Sequence, residues 1–529
     1  MLLKIFFLFY LFSVNVYSTQ ITDKINKKNY STTEAERVEQ ADIRLREAIV
    51  NPEYMLDNWI ELPISPASHK KKLQHLSLRE AILLALRYNP NIQNAELDRI
   101  IQRYQLRLAN NEFELQYALS GNGTIQKTTF NGVGSAETHT FLASPDFEIK
   151  TRAGTRASLF IDNNLSQNNN YNPVLNFSFT QPLFRGFGRS VNEAALSDAI
   201  DNEWLSKLNL HQSVVDQVTQ VIIAYRALIL SGNNLKNQRL QLKEAQISYE
   251  MNKKRIKSGR LERTGNIEQS YQIESLRILV EQAENDFKIT SQELLQNIGL
   301  DPEMHLSVPS NVILKDIVVP DLQTSIEFAL NHNAQYWAQK MALRADERAF
   351  TVAKNQQLWQ LDLTGNVQSG TVNDVIGVKH GLRGIYNGNN MTEAARLILT
   401  VPLNDLPRRG QLINAKVRLE KDRINLIATK RALITQITNI ISMIKSLSNR
   451  YKLTQKQLKL AQQTYALQKK KQQAGISSAL EVNYTQNQLI QAQSGLIGAK
   501  IAYLNELTLL QRTLGTTLDY WQIKLRYGV

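Results

Sequence analysis

The strongest constraint in this 529-residue sequence is a long proline-free stretch with an apolar residue at every seventh position. It runs from Arg189 to Gly299 and contains a turn cluster at Ser258-Gly259-Arg260. An apolar seven-residue repeat of this length is typical of a supercoiled helix. About seventy residues of helix form a rod of roughly 105 Å. We therefore predict a long helical hairpin over residues 189–299. Its apolar positions are Val214, Val221, Leu228, Leu235, Leu242, Tyr249 and Ile256, then Ile273, Leu276, Val280, Ala283, Phe287 and Leu294.

The hairpin pattern occurs a second time, further along the chain. Gly475 follows Gly259 by 216 residues, and Gly515 follows Gly299 by the same 216. A repeat of this size predicts two structural copies and a second hairpin over residues 408–515. Two unrelated coiled coils are the alternative, and the matching glycines at one offset disfavour it.

Composition narrows the class of protein. The net charge is +14, which suits nucleic acid or an anionic membrane surface, but no zinc or RNA-binding pattern occurs, so no nucleic acid partner is expected. Cysteine is absent, which excludes thiol catalysis and disulfides and suits an oxidising compartment. The seven histidines are scattered, and no phosphate-binding loop or nucleophile elbow is present. The sequence therefore does not predict an enzyme, a cofactor or a metal site.

The first residues predict export from the cytoplasm. A short basic start, an apolar core over residues 5–14 and the small-residue site Val16-Tyr17-Ser18 form a signal peptide, residues 1–18. The apolar core is too short for a membrane anchor, which needs ~20 residues. A polar periplasmic segment is expected over residues 19–75, and no later stretch approaches a transmembrane helix.

Each copy is expected to begin with a shorter helix and to continue through strands. The first copy spans 76–303 with a break at Asn89-Pro90, and the second spans 322–515. A linker, residues 304–321, and a tail, residues 516–529, complete the chain. Alternating polar and apolar residues predict a strand pair within 119–184 and another within 361–403. Such alternation fits a membrane barrel or a soluble hairpin, and the segments alone leave both open.

Taken together, these segments predict an α+β fold. Four strands per chain cannot close a barrel, and an open sheet in lipid would leave its edge groups unpaired. Several chains must therefore combine, and three chains would give twelve strands. The helices would then form a long cylinder next to that barrel.

This layout resembles the TolC-like outer-membrane efflux protein family, from about Leu76 to Asp519. Leu78-Arg79-Glu80-Ala81-Ile82 is similar to the family's opening helix, and Gln181-Pro182-Leu183-Phe184-Arg185-Gly186-Phe187-Gly188-Arg189 resembles its strand-to-helix motif. The resemblance implies a homotrimer with a twelve-stranded transmembrane β-barrel in outer-membrane lipid, continued by a twelve-helix periplasmic coiled-coil tunnel. It also implies a periplasmic adaptor and an inner-membrane transporter as partners. Drugs, ions or proteins would be the exported cargo.

The same resemblance assigns roles to the hairpin turns. The adaptor-contacting tip would comprise Gly259, Arg260, Leu261, Gly475, Ile476 and Ser477. The family closes its tunnel mouth with acidic residues six and nine positions after these glycines. Here Glu481 keeps the first acid in copy two, Tyr484 replaces the second, and Glu268 keeps only the ninth position in copy one. Glu481 could instead be an ordinary carboxylate at a helix start.

Two further alternatives remain open. The lysines and arginines near both turns are either a solvated coiled-coil face or a docking surface for an acidic adaptor. The whole chain could also be a soluble periplasmic coiled-coil adaptor or scaffold. That second class of protein would lack the two strand segments.

Overall fold

The computed structural model describes residues 76–130, 134–166, 173–258, 265–307, 309, 320–370, 385, 390–474 and 476–523. The chain divides into two units, residues 1–67 and 68–529, and every described residue belongs to the second. The predicted signal peptide and the periplasmic segment 19–75 lie outside the described residues.

Ten helices and six strands make up the described part of the chain. The helices are α1 (Leu78–Tyr88), α2 (Pro90–Asn111), α3 (Arg189–Asn192), α4 (Ala194–Lys257), α5 (Gly265–Ile298), α6 (Leu322–His332), α7 (Ala334–Asn355), α8 (Leu406–Gln473), α9 (Ala479–Leu514) and α10 (Thr517–Tyr520). The strands are β1 (Gln116–Phe130), β2 (Gly134–Lys150), β3 (Arg156–Ser166), β4 (Val174–Pro182), β5 (Gln360–Gly370) and β6 (Met391–Thr400).

An asparagine separates the two short helices in each half of the chain. Asn89 ends α1 and caps α2, where its side-chain oxygen accepts a hydrogen bond from the backbone N–H of Asn91 at 2.8 Å. Pro90 needs no such partner and suits the first helical position. Asn333 likewise ends α6 and caps α7. The predicted break at Asn89-Pro90 is confirmed.

Two long hairpins follow the strands. Helix α4 has 64 residues and packs along the 34 residues of α5, while α8 has 68 residues and packs along the 36 of α9. The predicted heptad positions Val214, Val221 and Leu228 are at most 1% exposed and form a core with α1 and α5. A second core lies between α6, α8 and α9. Nearer the turns the stripe residues Tyr249 and Tyr465 are only half-buried, so they are not the fully buried positions that their spacing suggests.

Helix α4 also contains a segment long and apolar enough to cross a membrane, contrary to the expectation from sequence. Most of that segment is buried within the structure. Val215, Val218 and Ile222 lie in the core with α1 and α5, so packing between helices accounts for its apolar composition.

The sheet corrects the sequence prediction. Its six strands are antiparallel and lie in chain order, β1 to β6. Four of them, rather than the expected pair, lie within the first segment, because β2 was missed. Pro145 sits inside β2, lacks an N–H and usually argues against an interior strand. The pairing of β2 with β3 omits residues 144 and 145 but keeps its register on either side. The count of four strands per chain is wrong, and the twelve-strand arithmetic built on it fails.

All six strands share one division of faces. Every ladder pairs odd-numbered with odd-numbered residues, and successive residues point to opposite faces. The even face carries serine, threonine, asparagine and glutamine, and the hydroxyls of Ser158 and Ser178 lie 2.7 Å apart on it. On the odd face, the ring of Phe179 covers Gly365 of the neighbouring strand. The apolar residues of the odd face include Tyr117, Leu119, Ile125, Pro145, Phe147, Ile149, Leu159, Ile161, Leu175, Phe177, Leu361, Leu363, Val367, Leu397 and Leu399.

The predicted strand-to-helix motif connects the sheet to the helices. The backbone N–H of Leu183 donates to Leu361 at 2.7 Å, which continues the contact between β4 and β5. Gly186 has a φ of +83° and donates to the side chain of Asn355 at the end of α7 at 2.7 Å. The amide of Asn192 in α3 donates back to the carbonyl of Gly186 at 2.8 Å. The motif therefore fixes the ends of α7 and α3 against the base of the sheet.

Ionic and polar contacts join the two halves of the chain. The guanidinium of Arg226 in α4 donates to the Leu504 carbonyl of α9 at 2.8 Å and to Thr508 Oγ1 at 2.9 Å. Burial lowers the pKa of Arg226 to about 10. Arg348 of α7 pairs with Asp198 and Asp201 of α4 at 2.7 and 2.6 Å. The hairpins are thus held in a fixed relation to each other.

Candidate functional site at the hairpin tips

The turn of the second hairpin is the better described of the two tips. Gly259, Arg260 and Leu261 of the first turn lie outside the described residues, and so does Gly475 of the second. Ile476 follows directly and is 77% exposed, while its backbone N–H donates to the Lys471 carbonyl at 2.9 Å. The structure therefore presents an apolar side chain to solvent at the end of α8.

Ser477, Ser478 and Glu481 form the start of α9. The Ser478 hydroxyl accepts from the backbone N–H of Glu481 at 3.2 Å, and the Glu481 carboxylate accepts from the backbone N–H of Ser478 at 3.3 Å. This reciprocal pair is a capping box, which satisfies two of the free N–H groups of a helix start. The carboxylate also accepts from Ser477 Oγ at 2.6 Å and from Gln468 Nε2 of α8 at 2.9 Å. One carboxylate thus ties both helices of the hairpin to their turn.

The electrostatics of Glu481 follow from these bonds. The hydrogen bond from Ser477 lowers the pKa of this carboxyl, with further help from the Ser478 backbone, Gln468 and the charge of Lys471. Repulsion between symmetry-related copies was expected to raise that pKa, but the contacts within one chain act in the opposite direction. The arrangement can hold a fixed negative charge at the tip and stabilise the start of the helix.

The other two predicted mouth residues lie at the same end of the hairpins. Tyr484 is one turn into α9 and 65% exposed, and Glu268 is exposed in the first turn of α5. Their neighbours Asn483 and Gln269 line one cavity of about 180 Å³ between α4, α5 and α9. The first turns of α5 and α9 therefore come together, as the resemblance requires. Amide side chains dominate the lining: Gln241, Gln269, Gln272, Asn483, Gln486, Asn487 and Gln491.

Exposed lysines surround this end of the molecule. They are Lys253, Lys254, Lys257, Lys469, Lys470 and Lys471. Only Lys471 acts measurably on a carboxyl, through the pKa of Glu481. Within the described ranges, no group of three or more histidine, aspartate or glutamate side chains could hold a metal ion. The chemistry of the tip is therefore that of a charged, hydrogen-bonded surface.

Comparisons with known proteins identify part of the chain. Residues 326–516, from α6 to the end of α9, match the model of the outer membrane efflux protein family. The second half carries an outer membrane efflux protein domain. The resemblance drawn from sequence motifs is confirmed over this range. No curated protein matches the chain.

Solved structures extend the likeness beyond the efflux protein domain. The CmeC outer membrane channel of Campylobacter jejuni has 14% identity, covers 83% of this chain and 86% of its own, and gives a TM-score of 0.63. The outer membrane protein VceC of Vibrio cholerae has 17% identity, with 83% and 96% covered and a TM-score of 0.61. The open state of the MtrE outer membrane channel of Neisseria gonorrhoeae has 17% identity, with 83% and 89% covered and a TM-score of 0.62. At these identities the comparisons show a shared fold.

One surface of the efflux protein domain was missed in the sequence. Helix α8 carries a second seven-residue stripe, Leu453, Leu460 and Leu467, whose side chains are 65%, 63% and 55% exposed. It lies on a different face from Leu458 and Tyr465, which are half-buried. The spacing was present in the sequence, but it was overlooked beside the stripe that faces α9.

Proposed function

We propose that this protein is an outer-membrane channel, the outermost component of a tripartite export system. The observation that carries the proposal is the sheet with one apolar face, joined at its base to two long hairpins. An apolar face is what lipid requires of a membrane strand, and the polar face suits a water-filled interior. The efflux protein domain supports the same function. Cargo would pass without chemical change, from an inner-membrane transporter through the helical part to the outside.

Exposed apolar stripes support self-association, and the family resemblance supplies three as the number of chains. Leu453, Leu460 and Leu467 have no apolar cover within the described chain. The first hairpin exposes apolar residues as well, including Ile247, Tyr271 and Ile278. Side chains of this size on rod-like helices are expected to pack between neighbouring chains. We therefore propose a homotrimer in which α8 of one chain contacts the first hairpin of the next.

The tip is the proposed contact with a periplasmic adaptor. Ile476 is exposed next to a turn held by Ser477 and Glu481, so the contact surface is preformed. The lysines around it would favour an acidic adaptor surface, although a solvated face remains the simpler interpretation. The proposed mouth of the channel comprises Glu481, Tyr484 and Glu268. In this proposal Glu481 supplies a fixed charge there while it caps α9.

A photo-crosslinker at Ile476 tests the adaptor contact. The expected result is a covalent adduct with a periplasmic adaptor, identified by mass spectrometry. The matched control is the same crosslinker at Leu403, which is 93% exposed and precedes the other end of α8. Adducts with the adaptor from Leu403 but not from Ile476 would place the contact at the wrong end and refute the proposal.

The alternative, a soluble periplasmic adaptor or scaffold, accounts less well for the sheet. Such a protein would gain nothing from a broad apolar face on six strands. Tyr117 and Leu119 on that face are 79% and 78% exposed, which would promote aggregation in water. We therefore retain the membrane channel.

A further inference from the structure

We infer that β6 of one chain pairs with β1 of the next, so that three chains close a barrel of eighteen strands. The inference rests on the proposed membrane trimer and goes beyond the twelve strands expected from the family resemblance. It follows from the hairpin of β1 and β2, which the sequence did not reveal.

The additional hairpin has the faces of a membrane wall. In its ladder Tyr117 pairs with Phe147 and Leu119 pairs with Pro145, all on the odd face. Between them, Ser120 pairs with Ser144 on the polar face. The apolar members of β1 extend from Tyr117 to Ile125, which fits the ~9–11 residues that a tilted strand needs to cross lipid. Beyond that band, both strands become polar toward the hairpin end.

The apolar band continues without interruption from the hairpin into the other strands. Phe147 of β2 pairs with Leu159 of β3, and Leu159 pairs with Phe177 of β4. On the far side, Leu363 of β5 pairs with Leu397 of β6. A hairpin that lay outside the barrel would not need to share the register and the faces of the strands within it. The hairpin therefore belongs to the same wall.

The two edges of the sheet are suited to each other. Within the described residues, β1 pairs only with β2, and β6 pairs only with β5. Unpaired backbone groups at such an edge cost several kcal/mol each in lipid, so membrane sheets close on themselves. Six antiparallel strands give the first and last strands opposite directions. Joining β6 to β1 of the next chain is therefore also antiparallel, and a repeated head-to-tail contact closes into a ring.

Eighteen strands would change the size of the outer-membrane part. The barrel diameter grows roughly in proportion to the number of strands, so the wall would be about one and a half times as wide as one of twelve. Barrels of 16–18 strands leave a water-filled channel. The geometry thus favours a wide exit that does not select cargo by size.

Cysteine crosslinking can test the pairing, because the natural chain has no cysteine. Double variants would combine Leu119→Cys with Ala395→Cys, Leu397→Cys or Leu399→Cys, all on the odd face, to allow for the unknown register between chains. After oxidation in isolated membranes, at least one combination is expected to yield covalent trimers on non-reducing gels. The matched control combines Ser120→Cys with the same partners. Its side chain points to the opposite face, so at least a fivefold weaker yield is expected.

A second set distinguishes the outcomes. If the hairpin lay outside the barrel, β3 would meet β6 of the next chain, and Leu159→Cys with Leu397→Cys would crosslink between chains instead. That result, with intact membrane trimers, would overturn the eighteen-stranded barrel and leave the proposed channel standing. Equal yields from both faces would also overturn the pairing. Loss of trimers from the unmodified protein would refute the channel and the inference together.

Discussion

Replacing Gly299 by alanine is expected to destabilise the fold by on the order of 3–5 kcal/mol. Gly299 ends α5 with a φ of +87°, and an added Cβ would lie 2.2 Å from the carbonyl oxygen of Tyr88. The displaced backbone carries Asn89, whose amide donates to the Asn297 carbonyl at 2.7 Å and to Gln217 at 3.2 Å. The substitution therefore disturbs the contact of α1 and α2 with the first hairpin. Thermal melting of the detergent-purified protein measures the loss.

Gly515→Ala is the matched control, since this glycine occupies the equivalent position 216 residues later. Its φ is +77°, but the nearest atom to an added Cβ is that of His332 at 3.6 Å, an ordinary contact. Only backbone strain of roughly 1–2 kcal/mol is expected there. Equal shifts in the melting temperatures of the two variants would show that the close approach at Tyr88 is unimportant.

Replacing Leu460 by lysine is expected to reduce the fraction of assembled trimer at least tenfold at a fixed protein concentration. The side chain belongs to the exposed stripe of α8, which we propose is covered by a neighbouring chain. An unpaired charge buried in such a contact costs several kcal/mol, and each 1.4 kcal/mol is a factor of ten. Three copies would occur in each trimer. Size-exclusion chromatography with light scattering gives the fraction directly.

Gln462→Lys adds the same charge two residues further along, on the opposite side of the helix, where the native side chain is exposed. It is expected to leave assembly unchanged. If both lysines weakened the trimer equally, net charge rather than the stripe would control assembly, and the contact surface would have to be sought elsewhere.

The helical part was largely predictable because its signals are local or strictly periodic. The seven-residue stripe through Val214 and Leu228 marks the core, and Asn89-Pro90 marks a break that peptide geometry requires. The sheet was less predictable. Pro145 concealed β2, since its effect depends on whether the ladder can omit one pair. Pairing order is also a long-range property that no short window contains.

The candidate site shows a different limit. Ser478 and Glu481 have the spacing of a capping box, which could have been recognised in the sequence. The family resemblance directed attention to a gate instead, and the structure shows that the carboxylate caps the helix. Its role at a channel mouth depends on neighbouring chains, which remains a prediction. The stripe at Leu453, Leu460 and Leu467 was equally readable, but only burial shows that the chain leaves it uncovered.

The most direct test of the proposed channel is the location and assembly of the protein in cells. Osmotic shock followed by detergent extraction of the outer membrane, with gels run before and after heating, measures both. The account predicts that the protein stays in the outer membrane until detergent is added and then migrates as a trimer that heating converts to monomer. A monodisperse monomer released by osmotic shock, without detergent, would contradict it.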